Sequence, residues 1–153
     1  MNLMQYQEII KQAIEAEQES YDFYKAVSDN TRNSYLKELF ADLAKEELEH
    51  KEILENYLKE DVVAKLSFAE VKDDYQIAET VDKPKLSLDM RPADAIALAM
   101  KEEQKAMETY YRLAKASLDP EQKEVFNQLA EMEKGHKVKL EAVYTNMAYV
   151  EVW

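Results

Sequence analysis

Apolar residues recur along this chain at intervals of three and four over four long stretches, the period of a helix with one buried face. The first stretch runs from Leu3 to about Asp29, with Leu3, Tyr6, Ile10, Ala13, Ile14, Tyr21 and Tyr24 on the stripe. Asn2 is placed to cap it, with Gln5 reaching back as in a capping box. "NTRN" (30–33) reads as a turn, and a second helix follows from Ser34 to about Lys59. Its stripe is Leu36, Leu39, Phe40, Leu43, Ala44, Leu54, Tyr57 and Leu58.

The pattern lapses over residues 61–91, and "DKPKLSLDMRP" (82–92) holds two of the three prolines; this reads as a long connection with a short helix near "SFAEVKDDY" (67–75). Pro92 suits the first position of a third helix, which runs to about Ala116. "SLDP" (117–120) is a turn with Asp119 as N-cap and Pro120 after it, and a fourth helix runs on to about Met147. "AYVEVW" (148–153) is expected to be a tail, with Trp153 packing back.

Short turn, long connection and short turn imply two antiparallel hairpins joined by a crossover. A helix of about 26 residues is about 39 Å long, and ~30 extended residues reach farther than that. The expectation is one all-α domain over residues 1–153, a four-helix bundle with hairpins 3–59 and 92–147 and a crossover 61–91.

Composition agrees. One glycine and three prolines in 153 residues leave little for turns, and the abundant Ala, Glu, Lys, Leu and Gln favour helix. A net charge of −12 argues against a nucleic-acid or anionic-membrane partner. The absence of cysteine removes disulfides, thiolate nucleophiles and sulfur-ligated metal. No apolar run is long enough to span a membrane, and "MNLMQYQEII" lacks the features of a signal peptide, so a cytoplasmic location is the default expectation.

The two hairpins match each other without gaps when the first is shifted by 86 positions. Ile10 falls on Ile96, Ala13 on Ala99, Tyr24 on Tyr110, Phe40 on Phe126, Leu43 on Leu129, Ala44 on Ala130 and Leu54 on Leu140. Shared helical patterning accounts for part of this. The polar matches say more: Glu17 falls on Glu103, Glu47 on Glu133 and His50 on His136. The chain has no other histidine.

Both histidines follow a glutamate by three, in "EELEH" (46–50) and "MEKGH" (132–136). Three residues are about 60° short of a full helical turn, so each Glu–His pair shares one face. That face is the apolar one: Glu47 continues Phe40, Leu43 and Ala44, and Glu133 continues Phe126, Leu129 and Ala130. Glu17 interrupts the stripe of the first helix between Ile14 and Tyr21, and Glu103 that of the third between Met100 and Met107. Each of the six lies near the middle of its helix, and in an antiparallel bundle the middles share one level. Four carboxylates brought into a core suffer desolvation and mutual repulsion. Two divalent cations relieve both, with two bridging glutamates, two terminal glutamates and one imidazole per metal. This is the pattern of di-iron and di-manganese carboxylate bundles, and oxygen with imidazole donors also suits zinc or cobalt. The plain alternative is a set of core polar groups neutralised by lysine or arginine, and no stripe lysine or arginine is evident to supply them.

Tyr24 and Tyr110, each seven residues after a stripe glutamate, are candidates to hydrogen-bond the ligand carboxylates and thereby to help hold the metal cofactor; ordinary packing is the other reading. Glu46, Glu49, Glu102 and Glu131 read as solvated faces, Glu102 being the rival of Glu103. Gly135, inside the fourth helix, costs about 1 kcal/mol against alanine and would admit close packing. The methionines read as core filling.

Four segments, "AIEAEQESYDFY" (13–24), "ELFADLAKEELEH" (38–50), "ALAMKEEQKAMETYY" (97–111) and "VFNQLAEMEKGH" (125–136), resemble the helix motifs of the rubrerythrin family within the ferritin-like superfamily, over about residues 3–147. The resemblance implies a ferritin-like bundle with Glu17, Glu47, His50, Glu103, Glu133 and His136 as ligands of two iron ions. It further implies redox cycling with hydrogen peroxide or dioxygen as oxidant, the four glutamates as the catalytic carboxylates, and a homodimer. Two departures stand out. A rubrerythrin proper carries a four-cysteine rubredoxin domain, so this cysteine-free chain would need an external electron donor such as rubredoxin. The family also has a second glutamate in the third helix, three places on, that takes part in a redox-linked ligand exchange; this chain has Ala106 there.

Three functions follow. The first is a di-iron oxidoreductase of peroxidase or ferroxidase type. The second is an iron-binding or storage protein of ferritin type without turnover, and the third a metal-free helical interaction protein using its acidic surface.

Overall fold

The computed structural model describes residues 3–60, 78–80 and 91–150. Its elements are α1 (Leu3–Asn30), α2 (Ser34–Glu60), a short 3-10 turn at Ala78–Thr80, α3 (Pro92–Ala116) and α4 (Pro120–Val150), with no strand among the described residues. α1 packs on α2 and α3 packs on α4. The fold is thus all-α, with the helix complement and pairing of a four-helix bundle. The chain divides into two compact units, one holding α1 and α2, the other the 3-10 turn, α3 and α4.

In the first unit the buried stripe of α1 is Ile10, Ala13, Glu17, Tyr24 and Ser28, and that of α2 is Leu36, Phe40, Leu43, Ala44, Glu47 and Leu54. The Tyr24 ring tilts against Phe40 with centroids 5.8 Å apart, an aromatic contact that fixes the two helices near their turn. The turn is closed by its own polar groups. Asn33 Oδ1 accepts the Leu36 N–H at 3.1 Å as the N-cap of α2. Ser28 Oγ donates to the Lys37 carbonyl at 2.7 Å, and Lys37 Nζ donates to the Ser28 carbonyl at 3.2 Å.

In the second unit α3 opens on Pro92, whose missing N–H costs nothing at a helix start. Residues 95–100 are all buried, so the first turns of α3 are covered on every side. Met107, Tyr110 and Ala114 continue the buried stripe, which faces Val125, Phe126, Leu129, Ala130, Leu140, Val143 and Met147 of α4. Asp119 caps α4 as its position predicts, accepting the Glu121 N–H at 3.1 Å. The matched apolar positions of the repeat, from Ile10 and Ile96 to Leu54 and Leu140, are buried in both units. Met100, Met107, Met132 and Met147 fill core, as expected, whereas Met4 is exposed.

Helix ends differ slightly from the sequence reading. α4 continues past Met147 to Val150, because no proline or glycine follows to stop it. α1 and α2 each gain a residue, to Asn30 and Glu60. Asn30 Nδ2 donates back to the Ala26 carbonyl at 2.7 Å. The expected Asn2 cap, the short helix near residues 67–75 and the packing of Trp153 lie outside the described residues. No helix among the described residues is long and apolar enough to cross a membrane.

Candidate metal centre

The first unit carries Glu17 on α1, and Glu47 and His50 on α2. Glu17 and Glu47 are buried, at 3% and 1% exposure, and His50 is nearly so. Each offers one donor atom, and those atoms lie within 4.8 Å of one another. His50 Nδ1 is 3.9 Å from Glu17 Oε2. The three meet because a Glu–x–x–His pair projects from one face of α2 and because the helix middles, where they sit, stand side by side in the α1–α2 hairpin.

The second unit repeats the set with Glu103 on α3, and Glu133 and His136 on α4. All three are buried, and their donor atoms again lie within 4.8 Å of one another. His136 Nδ1 is 3.4 Å from Glu103 Oε1. Glu103, not Glu102, is the residue that meets the histidine, as the repeat offset predicts. α4 runs unbroken through Gly135 between Glu133 and His136.

Do these residues fit a metal? Glu17 Oε2 is buried and accepts no hydrogen bond among the described residues, an expensive state for a carboxylate oxygen unless a cation completes it. The histidine–carboxylate separations point the same way. A protonated histidine would draw in to about 2.7–2.9 Å. Two donors bound side by side to one cation, at ligand bonds of about 2.1 Å, stand roughly 3–3.5 Å apart. The spacing of His136 and Glu103 is of the second kind, and that of His50 and Glu17 is looser. Carboxylate oxygen with imidazole nitrogen, and no thiolate, is a donor set for iron, manganese or zinc. The residues present fit.

One expectation needs correcting. The sequence stripe showed no lysine in the core, yet Lys137 is fully buried. Its ammonium donates to Glu79 Oε1 on the 3-10 turn and stands 4.0 Å from Glu141 Oε2, itself fully buried. Glu141 Oε2 also accepts the Ala78 N–H at 2.9 Å. The lysine stands beside two carboxylates outside the two triads, and it ties the 3-10 turn to α4. In the sequence a lysine next to a histidine reads as solvated. A signal was present: Glu133, Lys137 and Glu141 fall four apart on one face, and the same shift carries Lys51 onto Lys137 and Glu55 onto Glu141. In the first unit that pair is at the surface, 3.7 Å apart, with Lys51 Nζ donating to Gln18 Oε1.

Tyr24 and Tyr110 are both buried, and the ring of Tyr24 packs on Phe40 and Phe23. Of the four glutamates expected on solvated faces, Glu49 is exposed, whereas Glu46, Glu102 and Glu131 are half-buried. Glu131 accepts the Tyr111 hydroxyl.

Comparison with known proteins adds independent findings. The model of the rubrerythrin family matches residues 8–144. Among solved structures, a hypothetical protein from Pyrococcus furiosus is similar at 26% identity, with a TM-score of 0.66, over 97% of this chain and 93% of that one. No curated protein matches the chain.

Proposed function

This chain belongs to the rubrerythrin family, and from that premise we propose that it is a non-haem di-iron carboxylate oxidoreductase that reduces hydrogen peroxide. In this reading the two triads act as one ligand set for two iron ions. Glu17 and His50 would hold one ion and Glu103 and His136 the other, with Glu47 and Glu133 as the remaining carboxylate ligands. The observation that carries the reading is the repeat of a buried glutamate with a buried or nearly buried Glu–x–x–His pair in each hairpin.

The bound irons would supply two electrons at once, which with two protons take one peroxide to two waters. The rest falls to the chain. Its four carboxylates neutralise two divalent cations, so the core carries no net charge from the centre. Its imidazoles hold the metals through neutral nitrogen. The apolar residues around each triad, such as Leu43 and Leu129, keep bulk water from the donors. Tyr24 and Tyr110 are proposed to steady the ligand carboxylates through their hydroxyls. Electrons would return from an external donor, and the protein would work as a homodimer.

A second reading, oxidation of ferrous iron as substrate, is favoured by one feature. Ala106 stands where the family's exchanging glutamate would be, so a redox-linked ligand exchange at that position is not open to this chain.

The test is anaerobic loading with Fe(II), a count of iron per chain, and stopped-flow mixing with hydrogen peroxide or air-saturated buffer. Two irons, with near-ultraviolet ferric absorbance rising rapidly under peroxide and slowly under air, is the expected result. A faster rise under air replaces the first reading with the ferroxidase one. Two irons inert to both oxidants leave a binding protein, and no bound iron overturns the metal reading.

A further inference from the structure

The α3–α4 hairpin has a groove of about 490 Å³ near its turn, lined by Glu108, Tyr111, Arg112 and Lys115 of α3 and by Lys123 and Asn127 of α4. We propose that this groove binds a small polyanion, a molecule of sugar-bisphosphate or tricarboxylate size. The inference rests on the second hairpin alone and is independent of the metal centre.

Three cations and one carboxylate give the lining a net charge of two positive on a chain whose total is −12. Among the described residues, Arg112, Lys115 and Lys123 make no ion pair and no side-chain hydrogen bond, and the Asn127 amide makes none either. Glu108 does not answer the cations; its carboxylate accepts from Gln104 Nε2 at 3.1 Å.

The first hairpin supplies the internal control. The shift that superimposes the ligands carries Ala26 onto Arg112, Asp29 onto Lys115 and Lys37 onto Lys123. There the corresponding polar groups are engaged. Asp29 pairs with Lys25 at 3.6 Å, and Lys37 is bound to Ser28 across the turn. In the second hairpin Ser28 is replaced by Ala114, which has no hydroxyl to donate across the turn, and a neutral and an acidic residue have become Arg112 and Lys115. Helical patterning does not require these changes, and those at Arg112 and Lys115 make this end of the hairpin more positive.

The chemistry fits an oxyanion with more than one charge. A guanidinium offers a planar fork to a carboxylate or phosphate, and two ammonium groups add point charges that adapt to either. The Tyr111 ring, its hydroxyl taken by Glu131, gives an apolar wall. The volume lies within the range of small-molecule sites, about 300–1,000 Å³.

The experiment is calorimetric titration of the full, metal-loaded chain with fructose 1,6-bisphosphate and, separately, with benzene-1,3,5-tricarboxylate, at about 0.15 M salt where diffuse attraction is screened. The expected result is saturable one-site binding of at least one probe below about 1 mM. It should weaken tenfold or more in Arg112→Ala and in Lys115→Asp, which install the first hairpin's residues, and stay unchanged in Lys25→Ala. Both groove positions are exposed, so circular dichroism should be unaltered. Which probe binds identifies phosphate or carboxylate as the preferred group. No saturation by either probe at about 10 mM, or binding that survives both groove variants, overturns the proposal.

Discussion

His136 Nδ1 stands 3.4 Å from Glu103 Oε1, and its repeat partner His50 Nδ1 stands 3.9 Å from Glu17 Oε2. Both separations exceed a charge-assisted hydrogen bond, and both join atoms of buried or nearly buried side chains. A nitrogen and an oxygen at about that separation can both bind one cation that sits beside them. The two matched hairpins thus hold the same histidine–carboxylate pair at similar spacing.

Removing the carboxylate of Glu47 or of Glu133 should empty the centre. In Glu47→Ala or Glu133→Ala, bound iron after anaerobic loading is expected to fall from two per chain to less than one, with helicity retained by circular dichroism. Two irons still bound in both variants would take these residues out of the ligand set.

Metal should also hold the fold. Ligands that bind only the native state stabilise it, by about 2.7 kcal/mol per site at a hundredfold excess over the dissociation constant. For a chain of this length that is roughly 5–10 °C in Tm. Scans with Fe(II) or Zn(II), against chelator, should show a rise of that size or more. Identical curves would support the metal-free interaction protein instead.

The two repeat-related lysines should differ sharply. Lys137→Ala leaves Glu141 buried without the cation beside it, and such breaks cost about 3–5 kcal/mol. Lys51→Ala removes a surface pair, worth about 0–1 kcal/mol. Urea unfolding measures both. Equal losses would mean that the burial of Lys137 carries no energetic weight.

The helix caps give a smaller effect of known sign. Asn33→Ala and Asp119→Ala each remove an acceptor for a helix-start N–H, and each should lower stability by about 1 kcal/mol in the same assay. A neutral result at Asn33 would assign closure of that turn to Ser28 and Lys37 alone.

Much of this was legible in the sequence, for a reason that particular residues make plain. Glu17 and Glu103 break an apolar stripe, so helical periodicity alone exposes them, and the repeat offset removes the ambiguity between Glu103 and Glu102. Helix limits were readable where chemistry marks them, at Pro92, Asp119 and Pro120. They were less so at α4, whose end is marked by nothing. Lys137 was hidden for a different reason: a lysine is buried only if something far away in sequence answers its charge. Glu79 lies in the connection, where no period predicts what it will touch. The groove was unreadable for the same reason, since Arg112 and Lys123 look like any solvated residues until two helices set them side by side.

The fate of Lys51 and Lys137 carries a consequence for how such a protein can change. Were the hairpins separate identical chains, any substitution would be imposed on every copy at once. Joined in a single chain, each copy is free to drift on its own. One lysine could remain near the surface while its twin was buried against the 3-10 turn, and one turn could keep an acidic residue where the other gained a cation. What selection must keep in common is then reduced to a glutamate, a second glutamate and a histidine. Everything around them is raw material for innovation.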